Sequence, residues 1–307
     1  MNIFVSGSLA LDRIMTFPGR FQDHILPEKL HILNICFLVE GLEERFGGTA
    51  GNIAYNLSLL GESPTILATA GKDFDDYAKR LRALGLTMKG IRHVADFTAS
   101  AYITTDQSDN QITGFNPGAM KRPSEFDFDR VPPGDALAIV SPGNVTDMVE
   151  YPRKLRELKI PFLFDPGQQI PALSGEQLAS AIEGSAALVS NDYELEMIMK
   201  ATGLGVDGLL ELTSAVVTTL GGEGCVVREN GGEKRVGAAK PDRVADPTGA
   251  GDAFRAGLIK GLAEGRGLPD ACRLGAACAS FCVELPGTQE HTFSMEEFQT
   301  RLDTVPA

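Results

Sequence analysis

The sequence predicts an α/β protein with a doubly wound, mostly parallel sheet, helices on both faces and a small β-sheet lid. Short apolar strands alternate with helical segments, most clearly from residue 136 onward. Parallel strands joined by helices are buried on both faces, which explains apolar runs without alternation. Glycine-rich turns follow several of the strands, where open α/β sheets bind ligands. Residues 13–40 and 98–118 depart from this pattern and predict the lid.

Length and composition limit the function. The 307 residues, 43% hydrophobic and 22% charged, fit one large folded domain with a small appendage. The net charge of −13 opposes general binding to nucleic acid or to an anionic membrane, because both attract basic proteins. We expect no membrane helix, which needs roughly 18 apolar residues, and no signal peptide. The five cysteines lack metal-ligand spacing, so buried thiols in a reducing cytoplasm are expected.

The main sheet is predicted element by element. Residues 3–7 form its first strand, and Asp12 follows beyond the carboxyl end, where a substrate hydroxyl can be held. Ile53, Leu57 and Leu60 have helical spacing, and Gly61 ends that helix. The later predicted strands are Pro64–Ala70, Ala136–Val140, Pro161–Asp165, Ala187–Ser190, Ala215–Thr219 and Cys225–Arg228, and the later predicted helices are Asp76–Leu84, Asp147–Leu158, Gly175–Glu183, Asp192–Ala201, Asp252–Ala263, Pro269–Val283 and Ser294–Leu302.

Two excursions from this sheet are predicted to build one lid. Residues 13–40 mix aromatic, proline and histidine residues before an apolar run, Ile32–Val39, and at least one strand is expected there. Residues 98–118 contain two strand-like runs around a polar turn, which indicates a hairpin. The lid's exposed strand edge could pair in a homodimer. The predicted domains are a core of residues 1–12, 41–97 and 119–307 and a discontinuous lid of residues 13–40 and 98–118.

A glycine-rich turn near the C-terminus is the most informative motif. Residues 246–252 read DPTGAGD and lead into an apolar helix. Gly249 and Gly251 allow backbone N–H groups to surround an anion at the positive end of the helix dipole. An isolated Asp252 would be read as an ordinary acidic residue of a first helical turn. Beside these glycines and Thr248, it indicates a phosphate site that contains a base.

Three other turns have a composition suited to ligands. Gly48 precedes a helix that has Asn52 in its first turn, which suits sugar hydroxyls but also a plain capped turn. Asn191 and Glu194, three residues apart at another helix start, suit a hydrated Mg²⁺ and equally a capping box. The glycine-rich residues 219–224 join two strands and can approach a nucleotide, although hairpin turns use the same residues.

These motifs resemble one known family in order and spacing. The P-loop fingerprint is missing, and Phe254 stands where a Rossmann fingerprint needs its third glycine. In contrast, GGxxxN at 47–52, NxxE at 191–194, TxGxxG at 219–224 and DPTGAGD at 246–252 resemble the ribokinase-like (PfkB) family of carbohydrate and nucleoside kinases. The resemblance covers essentially the whole chain. It implies a ribokinase-like α/β/α domain with a β-sheet lid over the substrate.

The resemblance also implies a role for each motif. The acid of the DPTGAGD motif is the expected base that takes the proton of the substrate hydroxyl, and the N–H groups before it form an anion hole. ATP and Mg²⁺ are the expected cofactors. The implied residues are Asp252, Gly249, Ala250 and Gly251 for catalysis; Asp12, Gly48 and Asn52 for the substrate; Asn191, Thr219, Gly221, Gly222, Gly224, Thr248 and Ala277 for ATP; and Asn191 with Glu194 for Mg²⁺ through water.

The lid is expected to choose the substrate. Residues 17–27 and 111–120 resemble most a bacterial branch of adenosine and nucleoside kinases, which implies phosphorylation of a ribonucleoside 5′-OH. Phe115, with its neighbour Asn116, is the candidate for contact with the base. A sugar kinase of the ribokinase or fructokinase type would have the same catalytic residues. A non-catalytic nucleotide or sugar sensor is a further alternative, opposed by Asp252. The preferred nucleoside and a monovalent cation near Asp246 are left open.

Overall fold

A computed structural model describes residues 1–128, 131 and 134–306. Its strands are β1 (Asn2–Ser6), β2 (Ala10–Thr16), β3 (Glu40–Gly47), β4 (Thr65–Ala70), β5 (Ile91–His93), β6 (Ala99–Thr105), β7 (Gln111–Asn116), β8 (Ala136–Val140), β9 (Phe162–Phe164), β10 (Ala187–Asn191), β11 (Ala215–Thr219), β12 (Cys225–Glu229) and β13 (Gly232–Val236). Its helices are α1 (Thr49–Leu59), α2 (Asp75–Ala83), α3 (Val145–Glu157), α4 (Gly175–Ile182), α5 (Asp192–Thr202), α6 (Val206–Leu212), α7 (Ala250–Ala263), α8 (Leu268–Cys282) and α9 (Met295–Asp303).

The larger sheet has the strand order β13-β12-β11-β10-β9-β8-β1-β4-β5. The strands from β11 to β5 in this order pair in parallel, and β12 and β13 add an antiparallel edge. One buried core contains apolar residues of α1, α2, α7, α8 and α9. A second contains those of α3, α4, α5 and α6. Helices therefore cover both faces, and the predicted doubly wound α/β class is confirmed.

Two strands of the larger sheet and one helix that packs on it were not predicted from the sequence. The strand β13 reads GEKRV, and only Val236 in it is buried. The strand β5 has three residues, of which only Ile91 is buried. The helix α6 follows Gly205 and buries Leu209. Edge strands and short helices bury few side chains, so the hydrophobic periodicity that marks the central elements is missing.

A four-stranded second sheet has the order β3-β2-β6-β7. The parallel pair β2 and β6 joins the two distant excursions, and β6 with β7 forms the predicted hairpin. The strands extend past the predicted lid limits, to Ala10 on one side and to Gly47 on the other. The run Ile32–Val39 contains no strand, and Leu38 in it is 85% exposed.

The division into two domains stays a prediction, and positions 129, 130, 132, 133 and 307 of its core range lie outside the described residues. Four cysteines are buried as expected, whereas Cys36 is exposed on the lid side. None of the helices in the described part of the chain is both long and apolar enough to cross a membrane.

Candidate active site

A cleft of about 830 Å³ lies at the carboxyl ends of the parallel strands. Ser8 follows β1, Asp165 follows β9, and Asn191 and Thr219 end β10 and β11. Phe115 of β7 lines the cleft from the small sheet. The cleft is therefore where open α/β sheets bind ligands, with the small sheet beside it.

The start of α7 forms one side of the cleft. Gly249 precedes the helix with a φ of +81°, a conformation that favours glycine. The Ala250 N–H donates to Pro247 O over 3.2 Å. Among the described residues, the N–H groups of Gly249 and Gly251 have no hydrogen-bond partner. Two free N–H groups at the positive end of the helix dipole make this turn suitable for an anion.

Asp252 lies in the first turn of α7 and opens to the cleft. Its Oδ2 accepts a hydrogen bond of 2.8 Å from Asn52 Nδ2. Burial raises the pKa of Asp252 from 3.8 to about 7, although the hydrogen bond from Asn52 and the charge of Arg255 lower it. A carboxylate with this pKa can take and release a proton near neutral pH.

A buried ion pair supports the base. Arg255, one turn after Asp252, donates from Nη2 to Asp165 Oδ1 over 2.8 Å and from Nη1 to Gly251 O over 3.0 Å. Its Nε also contacts Asp165 Oδ2. The side chains of Arg255 and Asp165 are only 8% and 3% exposed. Asp165, Asp252 and Glu194 raise the pKa of Arg255 more than burial lowers it, so its positive charge remains beside the glycine turn.

The sequence interpretation missed this ion pair, although signals for both residues existed. Asp165 ends a predicted strand at the carboxyl edge of the sheet, which is the position used to select Asp12. Arg255 lies three residues after Asp252, on the same helical face.

The opposite wall of the cleft consists of α1 and β2. Gly48 precedes α1 with a φ of +87°, and a Cβ there would lie 2.6 Å from Ser8 O. Only glycine therefore allows β1 and α1 to approach so closely. Asn52 is buried in the first turn of α1. Asp12 of β2 is half-buried, and burial raises its pKa against the opposing charge of Arg45. These polar groups face the same space as Asp252.

A second, mainly apolar cavity of about 300 Å³ adjoins the cleft. Thr219, Gly221 and Gly251 line both spaces, so the two meet at the glycine turns. Ala276, Ala279, Ser280 and Val283 of the α8 region form its apolar wall together with Phe254, Ala238, Ala239 and Val244. A flat, apolar ring with polar groups at its edge fits such a space.

Asn191 and Glu194 form a capping box at the start of α5. Asn191 Oδ1 accepts from the Glu194 N–H over 2.7 Å, and Glu194 Oε2 accepts from the Asn191 N–H over 2.8 Å. The second oxygen of Glu194 has no hydrogen-bond partner among the described residues, and the side chain lines the cleft. The cap and a ligand in the cleft can therefore use different oxygens of one carboxylate.

The structure brings most of the predicted site residues together. Asn116 lies outside both spaces; its Oδ1 accepts from the Gly118 N–H, which stabilises a turn. Ala277 is fully buried in the core, whereas its neighbour Ala276 lines the apolar cavity. Asp12, Gly48, Asn52, Phe115, Asn191, Glu194, Thr219, Gly221, Thr248, Gly249, Gly251 and Asp252 line the cleft, and Gly222, Gly224 and Ala250 line the cavity.

Comparison with known proteins places the chain in a family. The model of the pfkB family carbohydrate kinases matches residues 22–294. The nucleoside kinase of Methanocaldococcus jannaschii is 31% identical over 281 residues, which are 90% of this chain and 91% of that protein. The chain therefore belongs to the pfkB family of carbohydrate kinases, and it is a phosphotransferase with an alcohol group as acceptor.

Solved structures agree with this placement. In the structure of Burkholderia thailandensis nucleoside kinase in complex with inosine, the chain is 36% identical in sequence to this one. The two superpose with a TM-score of 0.86 over 98% of this chain and 96% of that chain. The structure of the same enzyme in complex with ADP-inosine is 38% identical, with a TM-score of 0.83 and coverage of 98% and 95%. The expected ribokinase-like fold is confirmed.

Proposed function

We propose that this protein transfers the γ-phosphoryl group of ATP to the 5′-OH of a ribonucleoside. One observation carries the proposal: Asp252, with a pKa of about 7, lies between a polar cleft and the free N–H groups of the glycine turn. A base and an anion site side by side match phosphoryl transfer to a hydroxyl. A protein that only binds its ligand needs no base at this position. The similar B. thailandensis nucleoside kinase has been solved in complex with inosine, which supports a nucleoside as acceptor.

The proposed reaction assigns one task to each wall of the cleft. Asp12 and Asn52 hold the sugar so that the 5′-OH faces Asp252. The carboxylate accepts the hydroxyl proton while the 5′-oxygen bonds to the γ-phosphorus, and the bond from that phosphorus to the β,γ-bridging oxygen breaks. ADP leaves with this oxygen, and Asp252 returns the proton to solvent. The N–H groups of Gly249 and Gly251 stabilise the charge on the transferred group.

ATP is proposed to span the two spaces. Its adenine fits the apolar cavity beside Ala276 and Ser280, and its phosphates run past Thr219 and Gly221 toward the glycine turn. This order places the γ-phosphoryl group where the cavities meet. Arg255 donates to Gly251 O of that turn and also lines the cleft, so its positive charge favours anion binding there.

The site also fits Mg²⁺ bound with the nucleotide. Glu194 would hold it through water with its second carboxylate oxygen, and Asn191 would keep that carboxylate in place through the capping box. When bound, Mg²⁺ neutralises charge on the phosphates. Replacement Glu194→Gln should raise the Mg²⁺ concentration needed for half-maximal rate. Glu297→Gln, which alters the equivalent capping box of α9 away from the cleft, is the matched control.

A substrate panel tests the proposal. ADP release is measured with inosine, adenosine, guanosine and cytidine beside ribose and fructose, and the nucleoside products are analysed for a 5′-phosphate. We expect turnover on nucleosides, and 5′-deoxyadenosine should inhibit without reacting. Turnover on free sugars alone would identify a sugar kinase instead.

Three further expectations are part of the proposal. Apolar side chains on the lid side, including Leu30, Ile32 and Leu38 at 56%, 65% and 85% exposure, support a homodimer through the lid. Light scattering on the purified protein measures the molar mass, and Leu38→Glu should dissociate a dimer.

A monovalent cation near Asp246 should make the rate of phosphorylation higher in potassium chloride than in choline chloride. Buried thiols such as Cys278 agree with a reducing cytoplasm.

A further inference from the structure

A buried chain of hydrogen bonds leads from the backbone of β3 to the carboxylate of Asp252. Tyr77 Oη donates to Gly47 O over 2.9 Å. Gln289 Nε2 donates to Tyr77 Oη over 2.6 Å and to Asn52 Oδ1 over 3.0 Å. Asn52 Nδ2 then donates to Asp252 Oδ2 over 2.8 Å. The side chains between the two ends are 1–5% exposed.

The Gly47 carbonyl, at the end of this series of hydrogen bonds away from Asp252, fixes the direction of every bond in the series. The carbonyl of Gly47 can only accept, so the Tyr77 hydroxyl must donate to it and accept from Gln289. Burial raises the pKa of Tyr77, which keeps that hydroxyl protonated. Gln289 therefore presents its amino group, and its second hydrogen goes to the oxygen of Asn52. The amino group of Asn52 is then the one that faces Asp252.

The opposite orientation would work against the base. If the Gln289 amide turned over, its oxygen would accept from Asn52, and the Asn52 oxygen would face the carboxylate. Two acceptors would then oppose each other unless Asp252 were protonated. In the orientation that donates to Tyr77 and Asn52, Gln289 Oε1 is buried without a partner among the described residues. Arg80 Nη2 donates to Gln289 O over 2.5 Å and holds the backbone in place.

We propose that Gln289 and Tyr77 are positioning residues that orient the Asn52 amide so that it donates to the ionised form of Asp252. They act through Asn52 and do not contact the space where the substrate would lie. The inference rests on the proposed role of Asp252 as base. The charged or titratable groups that also act on Asp252 are Arg255 of its own helix, Asp165 after β9, Glu194 of α5, Cys282 of α8 and Tyr77 of α2.

The test compares the pH profile of kcat/KM in three variants of the full chain. Gln289→Met keeps the shape of the side chain and removes both donors, so the acid limb should move upward by about one pH unit, the order of one hydrogen bond to a charged group. The rate then falls about tenfold near pH 6.5 and little at pH 9. Tyr77→Phe should move the limb in the same direction by less. Tyr151→Phe removes a similarly buried hydroxyl on α3 that does not line the cleft, and it should leave the acid limb in place.

Thermal unfolding of each variant separates folding from function, and Tyr77→Phe decides the question if Gln289→Met does not fold. An unmoved acid limb, with kcat/KM lowered by one factor at every pH, would overturn the positioning role. Asp252→Asn separates the positioning role of Gln289 and Tyr77 from the role of Asp252 as base. If that variant is inactive while the limb stays in place in the other variants, only the positioning role fails. If Asp252→Asn retains turnover, the proposed base itself is wrong.

Discussion

The carboxylate of Asp252 provides the most direct test of the reaction. Its pKa of about 7 means that roughly half of the free enzyme has an ionised base at pH 7. Because the base must be ionised, kcat/KM should fall about tenfold per pH unit below that value. Asp252→Asn removes the base and should lower kcat by about 10² or more, with the acid limb abolished. ATP affinity should remain nearly unchanged, because Asp252 does not line the apolar cavity.

Steady-state ADP release and calorimetric titration with ATP measure these two effects. Asp147→Asn is the matched control, because Asp147 is also buried with a raised pKa but accepts hydrogen bonds from Ser124 outside the cleft. It should leave kcat and its pH profile unchanged. Wild-type turnover in Asp252→Asn, or an acid limb that persists there, would refute the assignment of Asp252 as base.

The same carboxylate should affect the stability of the fold. Its pKa is raised from 3.8 in the unfolded chain to about 7, so the ionised form destabilises the native state. The difference of about three pH units corresponds to an upper limit of about 4 kcal/mol, reduced because the carboxylate opens to the cleft. Asp252→Asn should therefore unfold at a higher temperature than wild type. That advantage should grow between pH 4 and pH 7 and stay constant above pH 8.

Other parts of the site give further predictions. Phe115→Ala should raise KM for nucleosides about tenfold, as expected for lost base stacking. Phe97→Ala is the control, because Phe97 is also exposed but lies outside the cleft, and it should leave KM unchanged. A nucleoside KM of Phe115→Ala equal to that of the wild type would remove Phe115 from the site. Arg255→Met should lower the free energy of unfolding by about 3–5 kcal/mol in urea titrations, because it leaves Asp165 buried without its partner. Adding Asp165→Leu to this variant should restore most of that loss. A further loss in the double variant would show that the two side chains act independently. Ala279→Leu should fill the apolar cavity and raise KM for ATP alone; an equal rise in nucleoside KM would contradict the assignment of that cavity.

The main sheet was predictable because each central strand is buried on both faces. Ala136–Val140 is buried at all five positions and was predicted with the correct bounds. The lid strands were harder. The strand β3 reads EGLEERFG and is stabilised by cross-strand pairs such as Arg13 with Glu44, which carry no apolar signal. The apolar run Ile32–Val39 looked more like a strand, but none of the strands in the described residues pairs with it. A strand depends on its partner, which a local pattern does not contain.

The candidate site was predictable to the extent that its residues lie in turns. Glycines at Gly48 and Gly249 have left-handed backbones, so the motif reflects the geometry directly. The difference at Ala277, which is buried in the core while its neighbour Ala276 lines the cavity, has a different origin. Most residues of α8 are apolar and small, so the sequence does not indicate which face of this helix lines the cavity. Successive residues of a helix point about 100° apart, so one residue can line the cavity while the next is buried in the core. Gln289 lies in the loop after α8, where sequence spacing does not indicate its contact with Asn52.

The boundary between the cleft and the apolar cavity consists of Thr219, Gly221 and Gly251, two of which have no side chain. Substitutions at the other lining residues of either space therefore add no side chain at this boundary. Acceptor preference and nucleotide preference can then diverge independently during evolution. Under the proposed function, a new acceptor would require changes in the lid and at the end of β7, and none at the place where the two ligands would meet.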